Sequence, residues 1–194
     1  MPGTIIVAGI PGVGKTTILK ELEAVAIEKK VPLKIINFGN VMNDLFKKKG
    51  KEIHRDKMRR EDIALQSSIQ QQAAAMIAKT PGRSAVVVDT HMFVRTGEGI
   101  WPGTPRKVLE ALDPTMIVLI EADPEEIARR RTEDSSRYRD SGNVEDARAD
   151  LHWSRYMASV NAVLAGVPIQ IVHNRDGQQR QVALDLLNVI GKRS

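Results

Sequence analysis

The sequence contains no cysteine among its 194 residues. Disulfide bonds, zinc sites built from thiolates and cysteine nucleophiles are therefore excluded. No apolar run approaches the roughly 20 residues that a membrane-spanning helix needs. An apolar run begins as early as Thr4, so we expect no signal peptide. We therefore expect a cytoplasmic protein.

Aromatic residues are also scarce, at 4 % of the chain, whereas proteins that bind single-stranded nucleic acid stack its bases on such side chains. The formal net charge is +5, which indicates either a nucleic-acid partner or a site that holds several phosphates. We favour the second interpretation because the basic residues are grouped in discrete motifs. With 42 % hydrophobic and 27 % charged residues, the composition is that of a single globular domain.

Residues 9–16 match the phosphate-loop pattern G-x-x-x-x-G-K-[ST] at every fixed position. They follow a β-branched run and open a helical pattern. The backbone N–H groups of such a loop, and of the helix after it, surround one anion. Lys15 is expected to reach the β- and γ-phosphates of a nucleoside triphosphate, and Thr16 to bind Mg²⁺. The residues assigned to this nucleotide site are Gly9, Ile10, Pro11, Gly12, Val13, Gly14, Lys15, Thr16 and Thr17.

Predicted strands and helices alternate along the chain, which is typical of a parallel sheet covered by helices on both faces. The predicted strands are residues 4–8, 33–37, 85–89, 115–120 and 169–173, and the predicted helices include 15–30, 40–79, 144–165 and 178–190. A loop is expected at residues 90–103, followed by a short helix capped by Thr104. The sequence thus predicts a three-layer α/β fold with a five-stranded parallel sheet and a ligand site at the carboxyl ends of its strands.

Within the long second helical segment, the spacing predicts one apolar face formed by Leu65, Ile69, Ala73 and Met76. Two other segments, residues 40–68 and 129–144, are rich in charge and poor in apolar periodicity. In an enzyme built on a sheet, such segments are candidates for flaps over the site.

Asp89 ends the third predicted strand, at the sheet edge where the phosphate loop lies. A carboxylate there can orient Mg²⁺ or its water molecules. The competing candidate is the acidic segment 121–123, after the fourth strand. We prefer Asp89 because helix capping accounts for Asp123 without any function.

Five arginines fall within eleven residues, namely Arg129, Arg130, Arg131, Arg137 and Arg139. Guanidinium groups suit phosphate oxygens and stay charged at neutral pH, whereas the alternative is a solvated charged face. We expect Arg130, Arg137 and Arg139 to stabilise a transferred phosphoryl group. Arg129 and Arg131 are expected to be surface residues.

A second basic group consists of Arg55, Arg59 and Arg60, and Arg95 lies in the loop after the third strand. Two arginine groups on separate segments indicate two anionic ligands, which favours a kinase whose acceptor is itself a phosphate. Such an acceptor is nucleophilic near pH 7 and needs no general base. His91, in the same loop as Arg95, is a candidate for contact with the substrate.

The ordered set of motifs resembles the archaeal-type adenylate kinases over nearly the whole chain. The residues that carry this resemblance are 9–16, 37–40, 89–91, 95–96, 102–103 and 137–140. It implies reversible phosphoryl transfer from MgATP to AMP, giving two ADP, and a homotrimer. It also implies a single adenylate kinase domain over residues 1–194, with an AMP-binding flap at about 39–69 and a short lid at about 129–144. The core would then comprise residues 1–38, 70–128 and 145–194.

By position, the resemblance implies distinct roles for the residues of these motifs. Lys15 and Thr16 would hold the phosphates of ATP and Mg²⁺, and Arg130, Arg137 and Arg139 would clamp the phosphates. The AMP site would be formed by Asn40, Arg59, Thr90, His91 and Arg95. Residues 174–177, with Asn174 and Gly177 at their ends, would lie near the adenine of ATP. Phe38 stands where the family often has tyrosine, which removes one possible hydroxyl contact.

Three other functions share part of this framework. Another small kinase would act on a different nucleoside monophosphate or on a hydroxyl acceptor such as shikimate, and a hydroxyl acceptor would require Asp89 as general base. A GTPase-like switch would carry an Asn-Lys-x-Asp segment, which residues 174–176 match only faintly. An RNA-associated ATPase, suggested only by the basic charge, would show RNA-stimulated hydrolysis with a steep salt dependence.

Overall fold

A computed structural model describes residues 3–50, 62–80, 84–133 and 143–191. The strands are β1 Thr4–Ala8, β2 Leu33–Asn37, β3 Ala85–Thr90, β4 Phe93–Thr96, β5 Gly99–Pro102, β6 Pro114–Glu121 and β7 Ile169–His173. The helices are α1 Lys15–Glu28, α2 Phe38–Lys48, α3 Ile63–Ala78, α4 Arg106–Leu112, α5 Pro124–Glu133, α6 Val144–Ala165 and α7 Gln179–Gly191.

Five strands form one parallel sheet in the order β2-β3-β1-β6-β7. Its central strands are apolar along their length because helices cover both faces. On one face, Ile5 and Val7 of β1 pack in a cluster with residues of α1 and α7. On the other face, Ile6 of β1 packs in a cluster with residues of α2, α3, α4 and α6. The predicted three-layer α/β fold with a five-stranded parallel sheet is confirmed.

The sequence prediction is wrong at residues 90–103, where the structure has a two-stranded antiparallel sheet instead of a loop. Its strands β4 and β5 join through a tight turn in which Oγ1 of Thr96 donates to the carbonyl of Gly99 at 3.0 Å. Phe93 is buried at the start of β4, whereas Arg95 is exposed. This hairpin, residues 93–102, holds Arg95 at a fixed place beside the sheet.

Two helical details also differ from prediction. Thr104 is completely buried and does not cap α4; its Oγ1 accepts a hydrogen bond from Nδ2 of Asn161 at 2.5 Å. Pro105 occupies the N-cap position, without a side-chain capping bond. On α3, Met76 is 48 % exposed and Ile77 is buried in its place, because the buried face continues from Gln70 through Ala74 to Ile77 at helical spacing.

The bounds of the predicted flap and lid stay predictions, since residues 51–61 and 134–142 lie outside the described residues. The part of the flap segment that is described, α2, buries Leu45 and Phe46 against the sheet. In the described part of the chain, no helix is long and apolar enough to cross a membrane.

Candidate active site

The phosphate loop connects β1, the central strand, to α1. Gly12 and Gly14 have φ angles of +96° and +80°, a backbone conformation that side chains other than glycine rarely adopt. A β-carbon on Gly14 would also overlap Nδ2 of Asn174. Gly14 is the N-cap residue of α1 and provides no side-chain cap. The first turn of α1 therefore presents backbone N–H groups suited to an anion.

Lys15, in this first turn, is buried and forms an ion pair with Oδ1 of Asp89. Its Nζ atom also donates to the carbonyl oxygen of Thr90 at 2.8 Å. Nδ2 of Asn37, at the end of β2, donates to Oδ2 of Asp89 at 2.5 Å. The parallel register sets Val7 and Asn37 opposite Asp89, so three adjacent strands bring their carboxyl ends to one place. Lys15 of the phosphate-loop motif and Asp89 at the end of β3 are therefore close in space, a pairing that the sequence analysis did not predict.

Thr16 and Thr17 follow Lys15 and are exposed on the first turn of α1. Thr16 and Asp89 are the predicted Mg²⁺ ligands, and a hydroxyl and a carboxylate are oxygen donors of the kind that Mg²⁺ prefers. The described residues contain no group of three or more histidine, cysteine, aspartate or glutamate side chains suited to a metal ion. Mg²⁺ commonly binds through one or two protein oxygens together with substrate phosphates.

Glu121, the competing carboxylate, has a different partner. It is 1 % exposed and receives two hydrogen bonds from Arg155 of α6, at 2.6 and 2.5 Å. The hydrogen bond to Glu121 raises the pKa of the Arg155 guanidinium. This bidentate pair joins the sheet to α6 and leaves Asp89 as the carboxylate bound to the phosphate-loop lysine.

Asn174 links the segment after β7 to the phosphate loop. It is 1 % exposed, and its Nδ2 donates to the carbonyl oxygen of Val13 at 2.7 Å. Its backbone N–H donates to the carbonyl oxygen of Glu121 at 2.8 Å. The Oδ1 atom has no hydrogen-bond partner among the described residues. Gly177 lies exposed farther along the same segment.

Arg130, the first of the three arginines predicted to bind phosphate, lies against the phosphate loop. It donates to the carbonyl oxygen of Gly12 at 3.2 Å, to Glu126 at 2.8 Å and to Asp176 at 2.5 Å. The hydrogen bond from Arg130 lowers the pKa of the Asp176 carboxyl. Arg130 is thereby fixed against both the phosphate loop and the segment after β7.

The prediction for Arg131 is wrong. Its side chain is only 4 % exposed, and its Nε donates to the carbonyl oxygen of Pro11 at 2.9 Å. Its Nη2 atom also donates to Oδ2 of Asp150, on α6, at 3.0 Å. Arg129 does lie at the surface, as expected, paired with Glu133. Three consecutive residues of a helix point in different directions, so one arginine of the run can face the core while its neighbour faces solvent.

On the predicted acceptor side, His91 places its Nδ1 atom 2.7 Å from the carbonyl oxygen of Gly9. Thr90 is buried and contributes the carbonyl oxygen that binds Lys15. Asn40 is exposed in the first turn of α2, where its backbone N–H donates to the capping Asn37 at 2.9 Å. Arg95 donates to Asp150 at 2.6 Å. The predicted residues Arg59, Arg137 and Arg139 lie outside the described residues.

The sequence analysis gave no individual role to three residues of this site: Asn37 and Asp176, which lie in segments that it named, and Asp150, which it did not name. A polar residue at the end of an apolar strand was a usable signal for Asn37, because strand ends meet at the ligand edge of such a sheet. Asp176 lies in a segment that the resemblance had already placed near ATP. Asp150 gives no signal, since one acidic residue in a charged helix is ordinary.

Comparisons with known proteins show the family to which this chain is related. A family model described as an AAA domain matches residues 8–148. The adenylate kinase of Methanocaldococcus jannaschii is 37 % identical over 186 residues, covering 96 % of this chain and 97 % of that protein. The adenylate kinase of Thermoplasma acidophilum is 37 % identical over 185 residues, covering 95 % and 97 %. The solved structure of a shikimate kinase from Acinetobacter baumannii, in complex with shikimate, is similar to this one with a TM-score of 0.60 at 17 % sequence identity. The match covers 99 % of this chain and 94 % of the shikimate kinase. That likeness concerns the fold alone.

Proposed function

Since the chain belongs to the adenylate kinase family, we propose that it uses Mg²⁺ in the reversible transfer of a phosphoryl group from ATP to AMP, giving two ADP. It is a nucleoside monophosphate kinase with the three-layer fold of phosphate-loop kinases. The observation that carries the catalytic site is the buried Lys15–Asp89 pair, held between the phosphate loop and the ends of β2 and β3.

The reaction demands positioning and charge stabilisation more than acid–base chemistry, because a phosphate acceptor needs no general base. We assign Lys15 and Arg130 to the charge of the transferred group, and Arg137 and Arg139 remain sequence-based members of this set. Asp89 is already bound by Lys15 and Asn37, which supports an electrostatic role over that of a base for a hydroxyl acceptor.

The oxygen donors of Thr16 and Asp89 fit Mg²⁺ chemically, and they are the residues that would hold it. The ion would neutralise phosphate charge during transfer. The residues of the phosphate loop would bind the triphosphate. Asn174 would hold the phosphate loop in place from the side on which the adenine is expected. Asn40, Arg59, Thr90, His91 and Arg95 would surround AMP. A cytoplasmic location stays a prediction of the sequence.

The deciding experiment is product analysis by phosphorus NMR after mixing the protein with ATP, Mg²⁺ and AMP. We expect ADP to form at twice the rate of ATP loss. Parallel reactions with CMP, UMP, dTMP and shikimate test the other small-kinase functions. ATP binding without ADP formation from AMP would contradict the proposed reaction.

We also propose that the chain assembles as a homotrimer, as its resemblance to the archaeal-type enzymes implied. The support is an apolar face on α6 that faces solvent. Its members are Trp153, Tyr156, Val160, Val163 and Leu164, each at least 42 % exposed. Light scattering coupled to gel filtration measures the state directly. The substitution Val163→Glu, at the most exposed position, should shift the mass towards the monomer, and an unchanged mass would exclude this face as the interface.

A further inference from the structure

Asp150 of α6 is a buried carboxylate, 8 % exposed, that is shared by two arginines. Its Oδ1 atom accepts a hydrogen bond from Nη2 of Arg95 at 2.6 Å, and its Oδ2 atom accepts one from Nη2 of Arg131 at 3.0 Å. Arg95 comes from β4 of the hairpin, and Arg131 comes from α5. One side chain therefore joins elements that are far apart in the sequence.

The two arginines meet different sides of the site. Arg131 is buried and donates through Nε to the carbonyl oxygen of Pro11 in the phosphate loop. The side chain of Arg95 is 47 % exposed, and its only side-chain hydrogen bond among the described residues goes to Asp150. Asp150 thus connects the phosphate loop, where ATP is expected, to Arg95, which is expected at the AMP site.

Charge distinguishes this arrangement from an ordinary structural salt bridge. Two guanidinium groups and one carboxylate leave a net charge of about +1, since arginine stays protonated in proteins. The exposed Arg95 carries N–H groups beyond the one bound to Asp150, because a guanidinium has five. Those groups are suited to the oxygens of a phosphate.

On the basis of the function proposed above, we propose that Asp150 is a positioning residue for phosphoryl transfer. It orients Arg95 towards the acceptor phosphate and keeps Arg131 on the phosphate loop, so both nucleotide sites depend on one carboxylate. Asp150 itself touches no substrate. Its effect on AMP acts through Arg95, and its effect on ATP acts through Arg131.

The test compares Asp150→Asn with the wild-type enzyme. We expect KM for AMP to rise about tenfold, because Arg95 loses a charge-assisted hydrogen bond that alone anchors it. The rise in KM for ATP should be smaller, because Arg131 keeps its bond to Pro11. Asp150→Glu retains the charge and should recover most of the loss. Glu145→Gln, which removes an exposed ion pair with Arg148 on the same helix, is the matched control and should leave both KM values unchanged.

A double variant separates positioning from a structural role. If Asp150 acts on AMP through Arg95, then Arg95→Ala with Asp150→Asn has the same KM for AMP as Arg95→Ala alone. Additive effects, or KM values in Asp150→Asn within twofold of wild type, would overturn the proposal. Should Asp150→Asn fail to fold because Arg131 is left unpaired, the pair Arg131→Met and Arg131→Met with Asp150→Asn gives the same comparison. We then expect KM for AMP to rise in the double variant but not in Arg131→Met alone.

Calorimetric titration with ATP alone makes this test independent of the acceptor. If the wild-type protein forms no ADP from ATP and AMP, the proposed function fails, while the titration still decides whether Asp150 acts on the ATP site through Arg131. Weaker ATP binding in Asp150→Asn, restored in Asp150→Glu, supports the proposal. Equal ATP affinity in the wild type and both variants contradicts it.

Discussion

Replacement of Lys15 by methionine tests both the stability and the chemistry of the candidate site. The side chains of Lys15 and Asp89 are 9 % and 11 % exposed and form a direct ion pair. Methionine keeps most of the apolar length of lysine, but among the residues that the structure describes it leaves the Asp89 carboxylate with Asn37 and without a cation. Loss of one partner of a buried pair costs about 3–5 kcal/mol. For a chain of this size, that corresponds to a fall in Tm of about 6–20 °C.

The same substitution removes the ammonium group expected to bind the β- and γ-phosphates. Loss of one such electrostatic group lowers kcat by about 10²–10³. The double variant Lys15→Met with Asp89→Asn replaces the ion pair by two neutral side chains. It should recover most of the lost stability, because no uncompensated buried charge remains, while its activity stays low. Stability and activity therefore separate in this pair of variants.

The assays are thermal unfolding followed by circular dichroism and a coupled assay of ADP formation. Lys20→Met, at an exposed position of the same helix, is the control and should match the wild type in both. The reasoning is refuted if Lys15→Met is as stable as the wild type to within about 1 kcal/mol, or if adding Asp89→Asn lowers stability further. Near-normal turnover of Lys15→Met would refute its assignment to the phosphates.

Three further predictions concern other parts of the site. Arg137→Ala and Arg139→Ala should each raise the transition-state free energy by about 2–4 kcal/mol, and steady-state losses under tenfold at both positions would indicate a solvated charged segment. Gly14→Ala should destabilise the protein by at least about 1–2 kcal/mol in urea unfolding, because alanine is strained at φ +80°; an unchanged midpoint would contradict this. The pKa of Asp176 is lowered from 3.8 by Arg130, so its stabilising effect is complete above about pH 3.8 and disappears as the pH falls through the lowered value. Asp176→Asn should therefore be less stable than the wild type at pH 7 and equal to it at low pH, and a difference that persists in acid would argue against this pair.

Much of the fold follows from local sequence patterns. The structure has β1, β2, β7 and α6 at the predicted residues, because apolar strands and a long capped helix are strong signals. The hairpin was missed because strands of four residues with glycines nearby look like a loop. Met76 was placed on the wrong face because positions three and four residues after Ala73 both fit a helical period.

The candidate site divides in the same way. The phosphate loop, Lys15 and Asp89 could be predicted because a motif and a strand end are local features. The burial of Arg131 and its bond to Asp150 could not, because they depend on how α5 packs against α6. Sequence periodicity shows which face of a helix is buried, but it does not show which side chain of another helix packs against that face.

The position of β1 in the middle of the sheet has a consequence for synthesis on the ribosome. Both neighbours of this first strand, β3 and β6, are encoded far downstream, and β3 begins at Ala85. At a synthesis rate of about 5–20 residues per second, roughly 4–15 s pass between the synthesis of the apolar segment Thr4–Ala8 and that of the first strand with which it pairs. Nascent chains stalled before β3 should therefore bind chaperones through this segment, and chains stalled after β6 should not.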